Sequence, residues 1–140
     1  MNLETLKIGA SANLSHIVTS EDLASALPLH PVDKFPTVFA TSRMIALMEL
    51  AAARVMQPIL GEAELSVGVT VEVTHSAATV RGETVRITAR YLGQEGKLHR
   101  FDVRAEDAGG EIGHGIHRRA IIATERLLNG AERRRNQTIL

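Results

Sequence analysis

Hydrophobic positions along this chain change period once, and the change divides it into a helical part and a strand part. Between Met44 and Ala53 the sequence reads MIALMELAAA, nine apolar residues around one carboxylate, Glu49. A run that is apolar on almost every side predicts a helix buried widely by other elements. Thr41 or Ser42 is suited to cap its start, and Pro58 and Gly61 stop it after Gln57. From Gly61 onward the period is two. Val67, Val69, Val71, Val73 and His75 share one parity, and Thr70, Glu72 and Thr74 fall on the other, which predicts a strand with one apolar face. The alternation returns at Val85, Ile87, Ala89 and Tyr91, and again at Phe101, Val103 and Ala105.

Gly93-Gln94-Glu95-Gly96 is expected to form the hairpin turn between those last two strands, and Asp107 to Gly110 the turn after them. Glu111 to Ala123 reads as a final strand, and the charged segment Thr124 to Gln137 as a terminal helix with a frayed tail. Ahead of the long helix, Leu6 to Thr19 holds a first strand, and Ser20 caps a short helix that must end before Pro28. His30 to Thr37, with Pro31 and Pro36, is a loop. One strand, a long helix and four strands joined by short turns predict an α+β fold, a curved antiparallel sheet wrapped around a central helix. Residues 1–140 are expected to be one domain, with a tail from about 125 to 140.

Composition narrows the function classes. Aromatic residues are only 3% of the chain, too few to stack nucleic-acid bases, and 16 basic residues balance 16 acidic ones, so no cationic footprint for nucleic acid exists. There is no Cys, which excludes disulfides, thiol nucleophiles and Cys-type zinc sites. No apolar run is long enough to span a bilayer, and Met1 to Ala10 lacks the basic start and apolar core of a secretory signal. The expectation is a cytoplasmic protein with neither a membrane nor a nucleic-acid partner.

The candidate chemistry begins with Glu49. A carboxylate in an apolar helix is costly unless it is paired or used. Its helical neighbours Ile45, Ala46, Ala52 and Ala53 are mostly small, which leaves room either for a ligand or for a close backbone contact. His75 continues the strand face expected to meet the helix, within reach of Glu49. A carboxylate and an imidazole together form a general-base arrangement; the alternative is a histidine satisfied within the core. Thr41 and Ser42 bring hydroxyls to a helix N-terminus, whose free N–H groups and dipole suit a developing oxyanion. Thr41 lies eight residues before Glu49, about 12 Å along a helix axis. Contact between them therefore needs a folded-back loop, a substrate in the gap, or two subunits. His114 and His117 have a metal-like spacing, but in a strand they point to opposite faces, which rules out a shared metal. Gly113, Gly115, His117 and Arg119 share one face, where the glycines permit close approach of a backbone or a ligand. Arg81, Arg86 and Arg90 read as solvated strand charges. No Gly-rich phosphate loop is present.

Three blocks in order, FPTVFATSRMIALMELAAARVM (Phe35–Met56), VGVTVEVTHSAAT (Val67–Thr79) and EIGHGIHRRAII (Glu111–Ile122), resemble the fluoroacetyl-CoA thioesterase family of hotdog-fold acyl-CoA thioesterases. The resemblance runs from about Pro31 to Ala123. It implies a hotdog domain that hydrolyses a short-chain acyl-CoA thioester to free acid and coenzyme A. It also implies Thr41, Glu49 and His75 as catalytic residues, with the Gly68 N–H offered to the thioester carbonyl. Arg119 falls on a family arginine of unassigned role. The hotdog fold implies a homodimer whose sheets join edge to edge with sites at the interface, which meets the distance between Thr41 and Glu49. Phe35 keeps one lid aromatic over the acyl group, but Val32 stands where a second is expected, a departure from the fluoroacyl-selective pattern. No metal or redox cofactor is implied, since coenzyme A enters as part of the substrate. Glu49 either activates water or forms a covalent acyl-enzyme. The rival readings are a hotdog enoyl-thioester hydratase, built on the same carboxylate and imidazole, and a non-catalytic acyl-CoA sensing module, which has no need of a buried base.

Overall fold

The computed structural model describes residues 5–137. Residues 1–4 and the last residues of the expected tail (138–140) lie outside that range. In chain order the elements are β1 (Ser11–Ile17), α1 (Thr41–Met56), β2 (Glu64–His75), β3 (Thr84–Glu95), β4 (Leu98–Asp107), β5 (Gly110–Ala123) and α2 (Thr124–Arg135). The strands form one five-stranded sheet in the order β1-β3-β4-β5-β2, antiparallel at every pairing. The fold is the expected α+β hotdog arrangement, with α1 laid along the inner face of the sheet.

The two periods in the sequence meet in the core. Val85, Ile87, Ala89 and Tyr91 of β3 and Phe101, Val103 and Ala105 of β4 are buried. They pack against Met44, Leu47, Met48, Ala51, Ala52, Val55 and Met56, which recur every three or four residues along α1. The start of α1 is held by Asp22, which is buried in a 3₁₀ turn at Ser20–Asp22. Its carboxylate accepts hydrogen bonds from the Thr19 N–H and hydroxyl, His16 Nε2 and Arg43 Nε. Its backbone carbonyl accepts the Ala40 N–H at 2.9 Å. Burial pushes the Asp22 carboxyl upward, but this set of donors outweighs it and holds the group well below the usual carboxylate range.

Several local expectations are corrected. The first strand is shorter than Leu6 to Thr19, and Thr19, not Ser20, caps the short turn that follows it. The cap residue of α1 is Ala40, with no side-chain cap bond, and Thr41 is already helical. The hairpin turn between β3 and β4 is Gly96-Lys97, because β3 runs on to Glu95. Gly93, at φ 111°, serves an irregularity within β3, where the register shifts between Tyr91 and Gly93. The single apolar face expected from Val67 to His75 is broken in the same way. Gly68 opposes Arg119 and Thr70 opposes Arg118, so Val69 is the extra residue of a β-bulge. One extra residue reverses the parity of everything before it. Gly68, of even number, faces α1 ahead of the bulge, and Val73 and His75, of odd number, pack inward after it.

Candidate active site

Thr41 opens α1 and His75 closes β2, and the two ends meet. Thr41 Oγ1 lies 2.8 Å from His75 Nδ1. Burial pulls the His75 imidazole below its ordinary value of 6.5, with the Ala77 backbone opposing. The ring is therefore neutral near pH 7. Its Nε2 is buried and makes no hydrogen bond among the described residues. Phe39 and the His75 ring meet in a T-shaped arrangement, with centroids 6.2 Å apart and planes at 80°. Thr41 and His75 border a cavity of about 390 Å³ whose apolar lining includes Phe35, Pro36, Val38 and Phe39. Val32 is 72% exposed and is not among the lining residues.

Glu49 lies elsewhere, and two expectations for it change. It is not sealed inside the fold: 42% of its side chain is exposed. Nor does it pair with His75, which is engaged by Thr41. Its partners are Arg119, with Nη1 3.6 Å from Oε1, and His117, with Nε2 3.9 Å from the same oxygen. The physical reason is the length of the helix. Glu49 sits two turns beyond Thr41, opposite the middle of β2, whereas His75 is at the β2 end beside Thr41. Gly68 is directly beneath the carboxylate. A Cβ at this position would overlap Glu49 Oε1 and stand 3.2 Å from His117 Cε1.

Sequence reasoning gave His117 no role of its own. It is 1% exposed. Nδ1 lies 2.8 Å from the Thr70 carbonyl, and Nε2 lies 3.1 Å from Arg119 Nη1. Arg119 also donates from Nε to Ser66 Oγ and from Nη2 to the Ser66 carbonyl. Burial lowers the His117 imidazole most; the Thr70 carbonyl opposes, Arg119 adds to the lowering, and Glu49 opposes. Burial also draws the Arg119 guanidinium down, against Glu49. The signal for His117 was its shared parity with Arg119.

His114 faces the other side of β5 and pairs with Glu111 at 2.9 Å, as strand geometry requires. Among the described residues, no group of three or more His, Cys, Asp or Glu could hold a metal ion. The close approach expected at Gly113 and Gly115 is to the protein itself. A Cβ at Gly113 would stand 2.7 Å from Met44 Sδ, and one at Gly115 would overlap the Glu72 carbonyl. The chain thus carries a hydroxyl–imidazole pair at the end of β2 and a carboxylate–guanidinium–imidazole group at its middle.

The pattern of the FlK family, described as fluoroacetyl-CoA-specific thioesterase, matches residues 18–125. The chain belongs to this family. The fluoroacetyl-CoA thioesterase of Streptantibioticus cattleyicolor is 46% identical over 93 residues, covering 66% of this chain and 67% of the relative. A solved structure of the fluoroacetyl-CoA thioesterase FlK superposes with a TM-score of 0.88 at 36% identity, over 97% of this chain and 100% of the other. A Phe-to-Ala mutant of the FlK enzyme, in complex with fluoroacetate and CoA, superposes at 0.82 and 37% identity, over 86% and 98% of the two chains. A thioesterase superfamily member from Thermus thermophilus reaches 0.86 at 27% identity, over 96% and 97%. In this member of the fluoroacetyl-CoA-specific thioesterase family, Thr41, Glu49, His75, Gly68 and Arg119 all lie within the matched region.

Proposed function

We propose that the protein hydrolyses a short-chain acyl-CoA thioester to the free acid and coenzyme A, with Glu49, His75 and Thr41 carrying the chemistry. The carrying observation is His75 bonded to Thr41 at the border of an apolar cavity. Family membership supplies the substrate class. Glu49 takes a proton from water, and the water oxygen bonds to the thioester carbon. The carbonyl oxygen gains charge against the Gly68 N–H and the N-terminal end of α1. The C–S bond breaks, and the proton returns from the Glu49 carboxyl to the leaving sulfur, while His75 holds the Thr41 hydroxyl beside the acyl cavity. The reaction is a hydrolysis with no change of oxidation state, so it uses no redox cofactor, and this reading routes no step through a metal.

The working unit in this reading is a homodimer. β2 is an edge strand, and Leu65 and Val69 on it are each 52% exposed, with Leu50 on the adjoining flank of α1 at 42%. Exposed apolar edges invite a partner strand. Antiparallel pairing of two copies of β2 across a two-fold axis lays the His75 end of one along the Glu64 end of the other. That pairing carries Thr41 and His75 of one subunit toward Glu49 and Gly68 of its partner. The acyl group is assigned as short-chain only: Phe35 lines the cavity and Val32 stands outside it, which favours a broader acceptance than fluoroacetyl alone. No helix among the described residues is long and apolar enough to cross a membrane. We assign the protein to the cytoplasm, with small-molecule thioesters as its partners.

The test is release of free thiol from acetyl-, fluoroacetyl-, propionyl- and longer acyl-CoA, with Glu49→Gln beside the wild type. The expected loss in the variant is about 10²- to 10⁴-fold, the usual contribution of a general base, with the oligomer intact. Near-normal turnover in Glu49→Gln would overturn the mechanism. Binding without thiol release would favour the sensing module, and hydration of an enoyl-CoA without thiol release would favour the hydratase.

A further inference from the structure

We infer that His117 is a positioning residue, a neutral imidazole whose task is to lock Arg119 so that the guanidinium holds Glu49 over Gly68. The inference rests on the hydrolytic reading of Glu49. The hydrogen positions follow from the partners. A carbonyl oxygen can only accept, so His117 Nδ1, 2.8 Å from the Thr70 carbonyl, carries the ring hydrogen. Nε2 is then a lone-pair acceptor, and it takes one hydrogen of Arg119 Nη1 at 3.1 Å. Nε and Nη2 of Arg119 are committed to Ser66. With three of its nitrogens anchored, the guanidinium has one orientation. Nη1 in that orientation stands 3.6 Å from Glu49 Oε1.

The β-bulge completes the device. It lies between the two contacts: β2 presents Gly68 to Glu49 just before the extra residue Val69 and the Thr70 carbonyl to His117 just after it. The groups facing His117 are Glu49 from α1, Arg119 from its own strand, the Thr70 carbonyl from β2 and Phe101 opposite it on β4. His99 stands opposite Arg119 on β4, and its Nδ1 is 2.8 Å from the Tyr91 hydroxyl. A proton on Nε2 of His117 would point a second cation at the guanidinium and remove its acceptor. The neutral ring is the form that positions, and acidification releases Arg119 and with it Glu49.

The experiment compares thiol release by wild type, Glu49→Gln, His117→Leu, His117→Gln and Arg119→Lys, with thermal unfolding of each. His117→Leu removes both ring nitrogens at similar bulk. It is expected to lower kcat on the order of 10²-fold, the effect of a misplaced reacting group, while KM changes little. His117→Gln keeps one amide donor for Thr70 and one carbonyl acceptor for Arg119. It is expected to recover at least tenfold of that loss and to abolish the part of the acid limb of kcat that His117 contributes. A His117→Leu protein with wild-type kcat, beside an inactive Glu49→Gln, overturns the positioning role and leaves the hydrolytic reading standing. An active Glu49→Gln overturns the hydrolytic reading itself. If His117→Leu does not fold, the remaining pair decides. Loss of kcat at constant KM in Arg119→Lys with activity kept in His117→Gln supports the inference, and wild-type kcat in both overturns it.

Discussion

Gly68 is where a single methyl group is expected to do the most harm to activity for the least harm to the fold. Its added carbon would overlap the end of the Glu49 side chain, which can swing away, and press on the edge of the His117 ring. Gly68→Ala is therefore expected to cost about 1–3 kcal/mol of stability, as overpacking does, and to lower kcat on the order of 10²-fold by displacing the carboxylate. Turnover and unfolding temperature measured side by side check this, and unchanged kcat would show that Glu49 works from another position. At this scale the sequence names residue types better than partnerships. Glu49 stands out as a charge in an apolar run, and His75 as an imidazole on an apolar strand face. Their assignment to each other fails because periodicity fixes a face and not a position along it: His75 lies at the end of β2 beside Thr41, and Glu49 sits two turns further along α1. His117 was weighed as half of a metal spacing with His114 and placed on one face with Arg119, but was given no role of its own. Its alignment with Arg119 was the usable sign.

Strand β2 holds the most consequential unpaired surface among the elements. Val69 is both its bulged residue and half exposed on the sheet edge. Val69→Arg places a charge where two edges are proposed to meet, the means by which natural edge strands prevent pairing. The expected outcome is a dimer-to-monomer shift in sedimentation velocity with thiol release lost alongside it. A monomer of full activity would show that one chain holds a complete site. The long helix and the four following strands were legible in the sequence because burial sets their periods, and burial is what the core of α1, β3 and β4 supplies. Turns and caps were not. Gly93 looked like turn chemistry but serves an irregularity inside β3. Thr41 looked like a cap, yet its hydroxyl belongs to His75, and Asp22 fixes the helix start through Ala40 and Arg43. Local propensity gave way in both places to contacts from distant parts of the chain.

Burial disfavours the charged form of three imidazoles, which sets how the molecule should respond to acid. His75, His99 and His117 are each drawn below the ordinary 6.5, in every case chiefly by burial. Below pH 6.5 the unfolded chain takes up protons that the folded chain refuses, so ν_U exceeds ν_N and stability falls as pH falls. Above that pH all three contributions are present in full. Asp22 acts in the same direction through a different group. Its folded carboxyl is held below the ordinary 3.8, so it stabilises the fold above that value and ceases to do so as pH falls further. The unfolding temperature is therefore expected to be level between pH 8 and 7, to decline from about 6.5 and to steepen near 3.8, values set by the ordinary titration of the two residue types. His117→Gln should flatten part of the first decline without touching the second, because it removes one of three proton acceptors and leaves Asp22 intact. A wild-type unfolding temperature that stays level from pH 7 to 5 would mean that the folded protein accepts these protons. His117 could not then be the fixed neutral acceptor on which Arg119 and Glu49 depend.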